Sequence, residues 1–286
     1  MSNTNLATHL VCKLNTMINA SYSLSLTEQR VMLCFISTVD SQKAINSKNT
    51  YGISIEAYAA MFNVTLEHAL KEIPTALEKL YTRSIHIDTN LLSEEFKLAN
   101  NITTAQIDIR WIQEKGCFNK GDDRFSIKFS ESITPFLSEL KGNFTKYNLA
   151  SISELQSPYA IRFYELLAQH QNMSKSLSIS VNDLRAALQI DKNTYTTFGN
   201  LNSRVIKPSL ASISELTNFR ILDIQQIKNR SALNKREVTD LKITFQVDTK
   251  KKQKNNNTFN PTKNLNTSSK KSKISAAVEK LKNRQG

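Results

Sequence analysis

The chain has 286 residues, with 38 Lys and Arg against 25 Asp and Glu and a formal charge of +13. That length accommodates two ordinary domains, each with its own core, and 40% hydrophobic residues exclude disorder throughout. Six Gly and five Pro are too few for a loop-rich sandwich or a collagen-like chain, and no run approaches the roughly 18 apolar residues of a membrane span.

The opening MSNTNLATHLVCK has neither the basic start nor the apolar stretch of a signal peptide. Cys12, Cys34 and Cys117 are an odd number without metal spacing. Both features lead us to expect a cytoplasmic protein and no membrane, and the excess of positive charge makes polyanions its expected partners. The charge is unevenly placed. Residues 1–150 carry 15 basic and 15 acidic groups, residues 151–248 carry 12 and 9, and residues 249–286 carry 11 and 1. The last segment, rich in Lys, Asn, Ser and Thr with Phe259 as its one aromatic, reads as a disordered basic tail. A solubilising role and a non-specific nucleic-acid arm fit it equally well.

In chain order, residues 26–39 have apolar side chains at 31, 32, 35, 36 and 39, a helical stripe, with Thr27 as candidate cap. Residues 53–64 follow as a short helix opened by Ser54, then a longer one over 66–84 with Pro74 as an expected kink. Strand-like alternation marks 84–89, 105–113 and 124–130. The second half repeats the order. An amphipathic helix over 157–170 has Pro158 in its first turn, and SISVNDLRAALQI (178–190) aligns without a gap on GISIEAYAAMFNV (52–64). Ser180 falls on Ser54, Leu184 on Tyr58, Leu188 on Phe62 and Ile190 on Val64. A turn containing Asp191–Asn193 then leads to a longer helix over about 198–216, and 219–227 with 238–247 read as a hairpin. Helix, short helix, turn, longer helix and two-stranded wing, seen twice, predict an α+β chain of tandem winged helix-turn-helix domains. The expected division is 1–150, 151–248 and the tail 249–286.

Catalytic chemistry finds little support. Gly116 and Gly121 have the glycine spacing of a phosphate loop, but Asp122–Asp123 stand where Lys and Ser or Thr are required. His9, His68, His86 and His170 are too far apart for the paired-His metal site of a nickase, and His86 between two Ile reads as the outward face of a strand. Tyr58, Tyr159 and Tyr164 read as core residues with a hydrogen-bonded tip. Glu94–Glu95 and Asp122–Asp123 read as solvated loop pairs. No enzyme, cofactor or metal is expected.

In a winged helix the longer second helix enters the major groove and the wing grips backbone. In the second half that helix begins with Asn200, Asn202, Ser203, Arg204 and Lys207, while Leu201, Val205, Ile206, Leu210 and Ile213 would face the core. Asn suits adenine and Arg suits guanine. Lys228, Arg230, Lys235 and Arg236 on the wing suit phosphates. The corresponding helix of the first half carries Glu67, His68, Lys71, Glu72, Glu78 and Lys79, a mixed face expected to bind DNA weakly or to contact protein.

The stretch 10–37 (LVCKLNTMINASYSLSLTEQRVMLCFIS), FTKYNL (144–149), SPYAIRFYELLAQH (157–170) and the Tyr195…Arg204-Val205-Ile206-Lys207-Pro208 segment together resemble plasmid replication initiators of the iteron-binding Initiator Rep class. The resemblance spans about residues 10–247 and implies two winged-helix domains. It implies monomers that bind directly repeated iterons in origin DNA, help open adjacent AT-rich DNA and recruit host initiator, helicase and loader. It further implies a homodimer in equilibrium with the monomer, formed through the first domain and inactive or autorepressing. The base-reading helix of the class maps onto Asn200–Lys207. Many members have a basic run before the Val-Ile, where this chain has Asn202–Ser203–Arg204, which suggests a more AT-oriented repeat. A sequence-specific transcriptional repressor without a replication role is the alternative that the same fold allows.

Overall fold

The computed structural model describes residues 5–46, 48–117, 124–230 and 236–248. Asp122–Asp123, Lys235 and the basic tail lie outside the described residues, as do the side chains of Arg230 and Arg236.

Strand β1 (Leu10–Leu14) pairs antiparallel with β7 (Phe144–Asn148), Leu10 opposite Asn148, and so closes the first 150 residues on themselves. After the short α1 (Asn15–Asn19) comes α2 (Leu26–Ile36), buried from Glu28 to Ile36. Its N-cap is Ser25, not the expected Thr27. The Ser25 hydroxyl accepts from the Glu28 N–H at 3.3 Å, and the Ser25 N–H donates to Glu28 Oε2 at 2.8 Å. This reciprocal arrangement satisfies two of the helix's orphan donors, which a cap at Thr27 would leave unpaired.

Next come β2 (Tyr51–Ser54), α3 (Ile55–Phe62) and α4 (Leu66–Thr82). Ser54 caps α3 by accepting from the Ala57 N–H, and Thr65 caps α4. The α3–α4 turn needs a left-handed residue, supplied by Asn63 at φ 51°. Helix α4 runs unbroken through Pro74.

The alternation over 105–113 belongs to two strands. β3 (Ser84–Asp88) pairs with β4 (Gln106–Arg110), Ile87 opposite Ile107, whereas β5 (Ile112–Cys117) pairs with β6 (Arg124–Phe129). The break falls at Trp111. Trp111 and Ile112 are both fully buried, which a strand with one solvated face cannot arrange for consecutive residues. Trp111 packs edge-on against Tyr22 with centroids 5.0 Å apart. His86 points outward, as expected, and pairs with Asp108. Glu94 and Glu95, expected in a loop, instead form the first turn of α5 (Glu94–Ala99), where carboxylates suit the positive helix end.

The second half contains α6 (Pro158–Ala168), β8 (Ser176–Ser180), α7 (Val181–Ala187), a long recognition helix, β9 (Phe219–Arg230) and β10 (Arg236–Val247). Its sheet order β8-β10-β9 repeats the β2-β6-β5 order of the first half. Ser180 caps α7 as Ser54 caps α3, and Leu184 and Leu188 are buried like Tyr58 and Phe62. The chain therefore folds as two winged helices, with β3, α5 and β4 inserted before the first wing.

A fully buried ionic cluster ties α6 to β1, β7 and the end of α7. Glu165 of α6 accepts from Lys13 Nζ at 2.5 Å, Tyr147 Oη at 2.7 Å and Arg162 Nη1 at 3.1 Å. The Arg162 guanidinium also donates to the carbonyls of Ile18 (2.7 Å), Ala20 (2.9 Å) and Ala187 (2.9 Å). Each charge thus has several partners, without which its burial would be prohibitive.

Candidate nucleic-acid interface

The recognition helix of the second half is built in three pieces. Helix α8 (Phe198–Leu201) is capped by Thr197, a π turn covers Asn202–Ile206, and α9 (Lys207–Leu216) follows. The Lys207 N–H donates to the Asn202 carbonyl, five residues back. Pro208 accounts for the irregularity, because it has no N–H for the Arg204 carbonyl and its ring would clash with that carbonyl in a regular helix.

Leu201, Val205, Ile206, Leu210 and Ile213 are all buried, as their spacing implies. Asn200, Ser203, Arg204 and Lys207 are exposed on the other face, with Asn202 half-buried between. Four exposed side chains that can read or grip DNA, Asn200, Ser203, Arg204 and Lys207, thus lie within eight residues on one side of one helix. Sequence reasoning did not single out Arg185, whose guanidinium holds the connector leading into this helix. Its acceptors are backbone carbonyls, which leave no mark on a sequence.

On the wing, Lys228 is exposed and lies opposite Val238. A bulge between Val238 and Asp240 leaves Thr239 outside the ladder, where its hydroxyl accepts from Asn229 Nδ2 at 2.8 Å and donates to Asp240 at 2.7 Å. Arg230 and Arg236 face each other as backbone partners at the end of the described hairpin.

The first winged helix offers a different surface. On α4, His68 Nε2 meets Glu72 at 2.9 Å. Of the wing lysines, Lys115 pairs with Glu78, and Lys128 pairs with Glu114 at 2.8 Å. Lys115 also lies 5.7 Å from the Tyr81 ring centroid. In the second winged helix, by contrast, none of the Arg204, Lys207 and Lys228 side chains has an ion pair or hydrogen bond among the described residues. Phosphate would have to compete with a carboxylate for Lys115 and Lys128, but not for these three. Among the described residues no cluster of three or more His, Cys, Asp or Glu could hold a metal, and no helix is long and apolar enough to cross a membrane.

Comparison with known proteins agrees with this architecture. The family model for the Initiator Replication protein WH1 domain matches residues 10–168, and that for the Initiator Rep protein WH2 domain matches residues 180–245. A replication initiation protein of Escherichia coli is 25% identical over 219 residues, covering 74% of this chain and 64% of that protein's length. The PI protein of Escherichia coli is 25% identical over 248 residues, covering 79% of this chain and 78% of that protein. The crystal structure of the Pi initiator protein in complex with iteron DNA shares the fold, with a TM-score of 0.66 at 23% identity over 85% of this chain and 99% of the other. With two winged helices in series and both domain models matched along its length, the chain belongs to the initiator replication protein family.

Proposed function

We propose that this protein is a plasmid replication initiator that recognises directly repeated iterons in double-stranded origin DNA through the recognition helix of its second winged helix. The observation that carries the reading is the exposed, uncompensated Arg204 and Lys207 beside Asn200 and Ser203 on one helix face, with the half-buried Asn202 at its edge. Arg204 and the Asn side chains read base edges. Lys228, Arg230, Lys235 and Arg236 grip phosphates and set register. The work is divided between 1–150, which supplies dimerisation and some backbone contact, 151–248, which supplies specificity, and the tail 249–286, which adds affinity. The monomer binds the repeats, promotes opening of adjacent AT-rich DNA and recruits host initiator, helicase and loader in the bacterial cytoplasm. The dimer is the inactive or autorepressing form. The protein performs no catalytic chemistry of its own.

The test begins with the DNA flanking the coding region. Tandem direct repeats beside an AT-rich stretch are expected, and a lone inverted repeat at the promoter would favour a repressor. On the cognate repeat, Arg204→Ala should cost about 1–3 kcal/mol of discrimination. Affinity for random duplex should fall far less, and equal loss on both would reject base reading by Arg204.

A further inference from the structure

The two winged helices differ in how their recognition helices are joined to the preceding helix. In the first, α3 ends at Phe62 and α4 begins at Leu66, so residues 63–65 suffice. In the second, α7 ends at Ala187 and α8 begins at Phe198, so residues 188–197 intervene. The longer connector also carries backbone strain. Gln189 at φ 46° and Tyr195 at φ 52° are non-glycine residues in the left-handed region. The helix is packed through Leu201, Val205, Ile206, Leu210 and Ile213, but a long, strained connector leaves the placement of its first turn open unless something ties that connector down.

Arg185, in the last turn of α7, does so. Its Nη1 donates to the Tyr195 carbonyl at 3.1 Å, and its Nη2 donates to the carbonyls of Asp191 (2.5 Å) and Thr194 (2.6 Å). One rigid guanidinium therefore ties the middle of the connector, Asp191 to Tyr195, to α7. The aligned position in the first winged helix is Ala59, where the short turn needs no such tie. Among the described residues Arg185 has no carboxylate partner, so its donors are committed to this backbone. Three convergent carbonyls are a target that the planar Arg fork can serve at once and a Lys ammonium serves poorly.

We propose that Arg185 is a positioning residue for DNA recognition. It contacts no base and sets the angle at which Asn200, Ser203 and Arg204 meet the major groove. The inference rests on the proposed role of that helix in iteron reading.

The test uses the full chain with Arg185→Met and Arg185→Lys, measuring affinity for the cognate repeat and for random duplex of equal length, the salt dependence of each, and the thermal midpoint. Arg185→Met should lower cognate affinity roughly tenfold, within the range set by one good base contact. Its affinity for random DNA and its salt slope should stay within about twofold of the parent, since phosphate contacts remain. Arg185→Lys should fall between Met and the parent. If the parent chain shows no repeat preference, the reading of the helix itself fails. If the parent prefers the repeat and Arg185→Met keeps that preference, the positioning role is overturned. A parallel loss on cognate and random DNA with a collapsed thermal midpoint would also overturn it, by making Arg185 a general stability residue.

Discussion

Replacing Arg162 with Met keeps a long, flexible apolar stem at the centre of the ionic cluster but removes its donors. Arg162 is 2% exposed and touches both halves of the molecule, through the carbonyls of Ile18 and Ala20 on one side and Ala187 on the other. In the variant Glu165 keeps Lys13 and Tyr147, so its charge remains compensated. The cost falls on three buried carbonyls that lose their charged donor, each worth about 1–3 kcal/mol if left unsatisfied. With three such carbonyls and partial relaxation, the total comes to about 3–5 kcal/mol. Against a domain stability of about 5–15 kcal/mol, that is a large fraction. Urea unfolding followed by tryptophan fluorescence reports directly, because Trp111 packs on Tyr22 and the Tyr22 hydroxyl accepts from Arg162 at 2.5 Å. The expected result is a lower midpoint by fluorescence and, as the halves uncouple, a far-ultraviolet circular dichroism transition that no longer coincides with it. A single transition with less than about 1 kcal/mol lost would refute the cluster as the tie between domains.

Two further outcomes are expected. Burial alone would raise the Glu165 carboxyl, but Lys13 and Arg162 beside it, with hydrogen bonds from Lys13 and Tyr147, outweigh burial and hold it below its ordinary value of 4.5. A depressed folded-state value means the stabilisation is present above pH 4.5 and lost as pH falls through the folded value. Glu165→Gln should therefore be less stable than the parent at pH 7, with the gap closing in acid; a gap independent of pH would count against the charged cluster. Deleting 249–286, which carries 11 basic groups and 1 acidic, should flatten the salt dependence of DNA binding and leave the preferred sequence unchanged. A changed site would make the tail a specificity element.

Legibility in the sequence followed the range of the interaction. The α3 and α7 starts were readable because Ser54 and Ser180 cap within their own turns and the apolar stripe records the buried face. Ser25 was readable too, since Ser-x-x-Glu at 25–28 is a capping box in plain sequence, but Thr27 lay closer to the apolar run. The strand break at Trp111 is marked in the sequence only by the adjacent apolar pair Trp111 and Ile112, which ends the alternation of Ile107, Ile109 and Trp111, and burial of both separates β4 from β5. Lys13 and Glu165 are 152 residues apart, and no local pattern pairs them. On the recognition helix the buried face was legible from spacing, and the π turn was signalled only by Pro208.

The two winged helices differ in how their basic side chains are paired. The first 150 residues carry 15 basic groups against 15 acidic ones and residues 151–248 carry 12 against 9, and the wing lysines Lys115 and Lys128 of the first domain are held by Glu78 and Glu114. A lysine already paired at the surface gains little by exchanging a carboxylate for a phosphate, because the two interactions are of similar kind and strength. Arg204, Lys207 and Lys228 have no such partner to surrender among the described residues, so the full phosphate or base interaction is available to each. The asymmetry follows from pairing geometry.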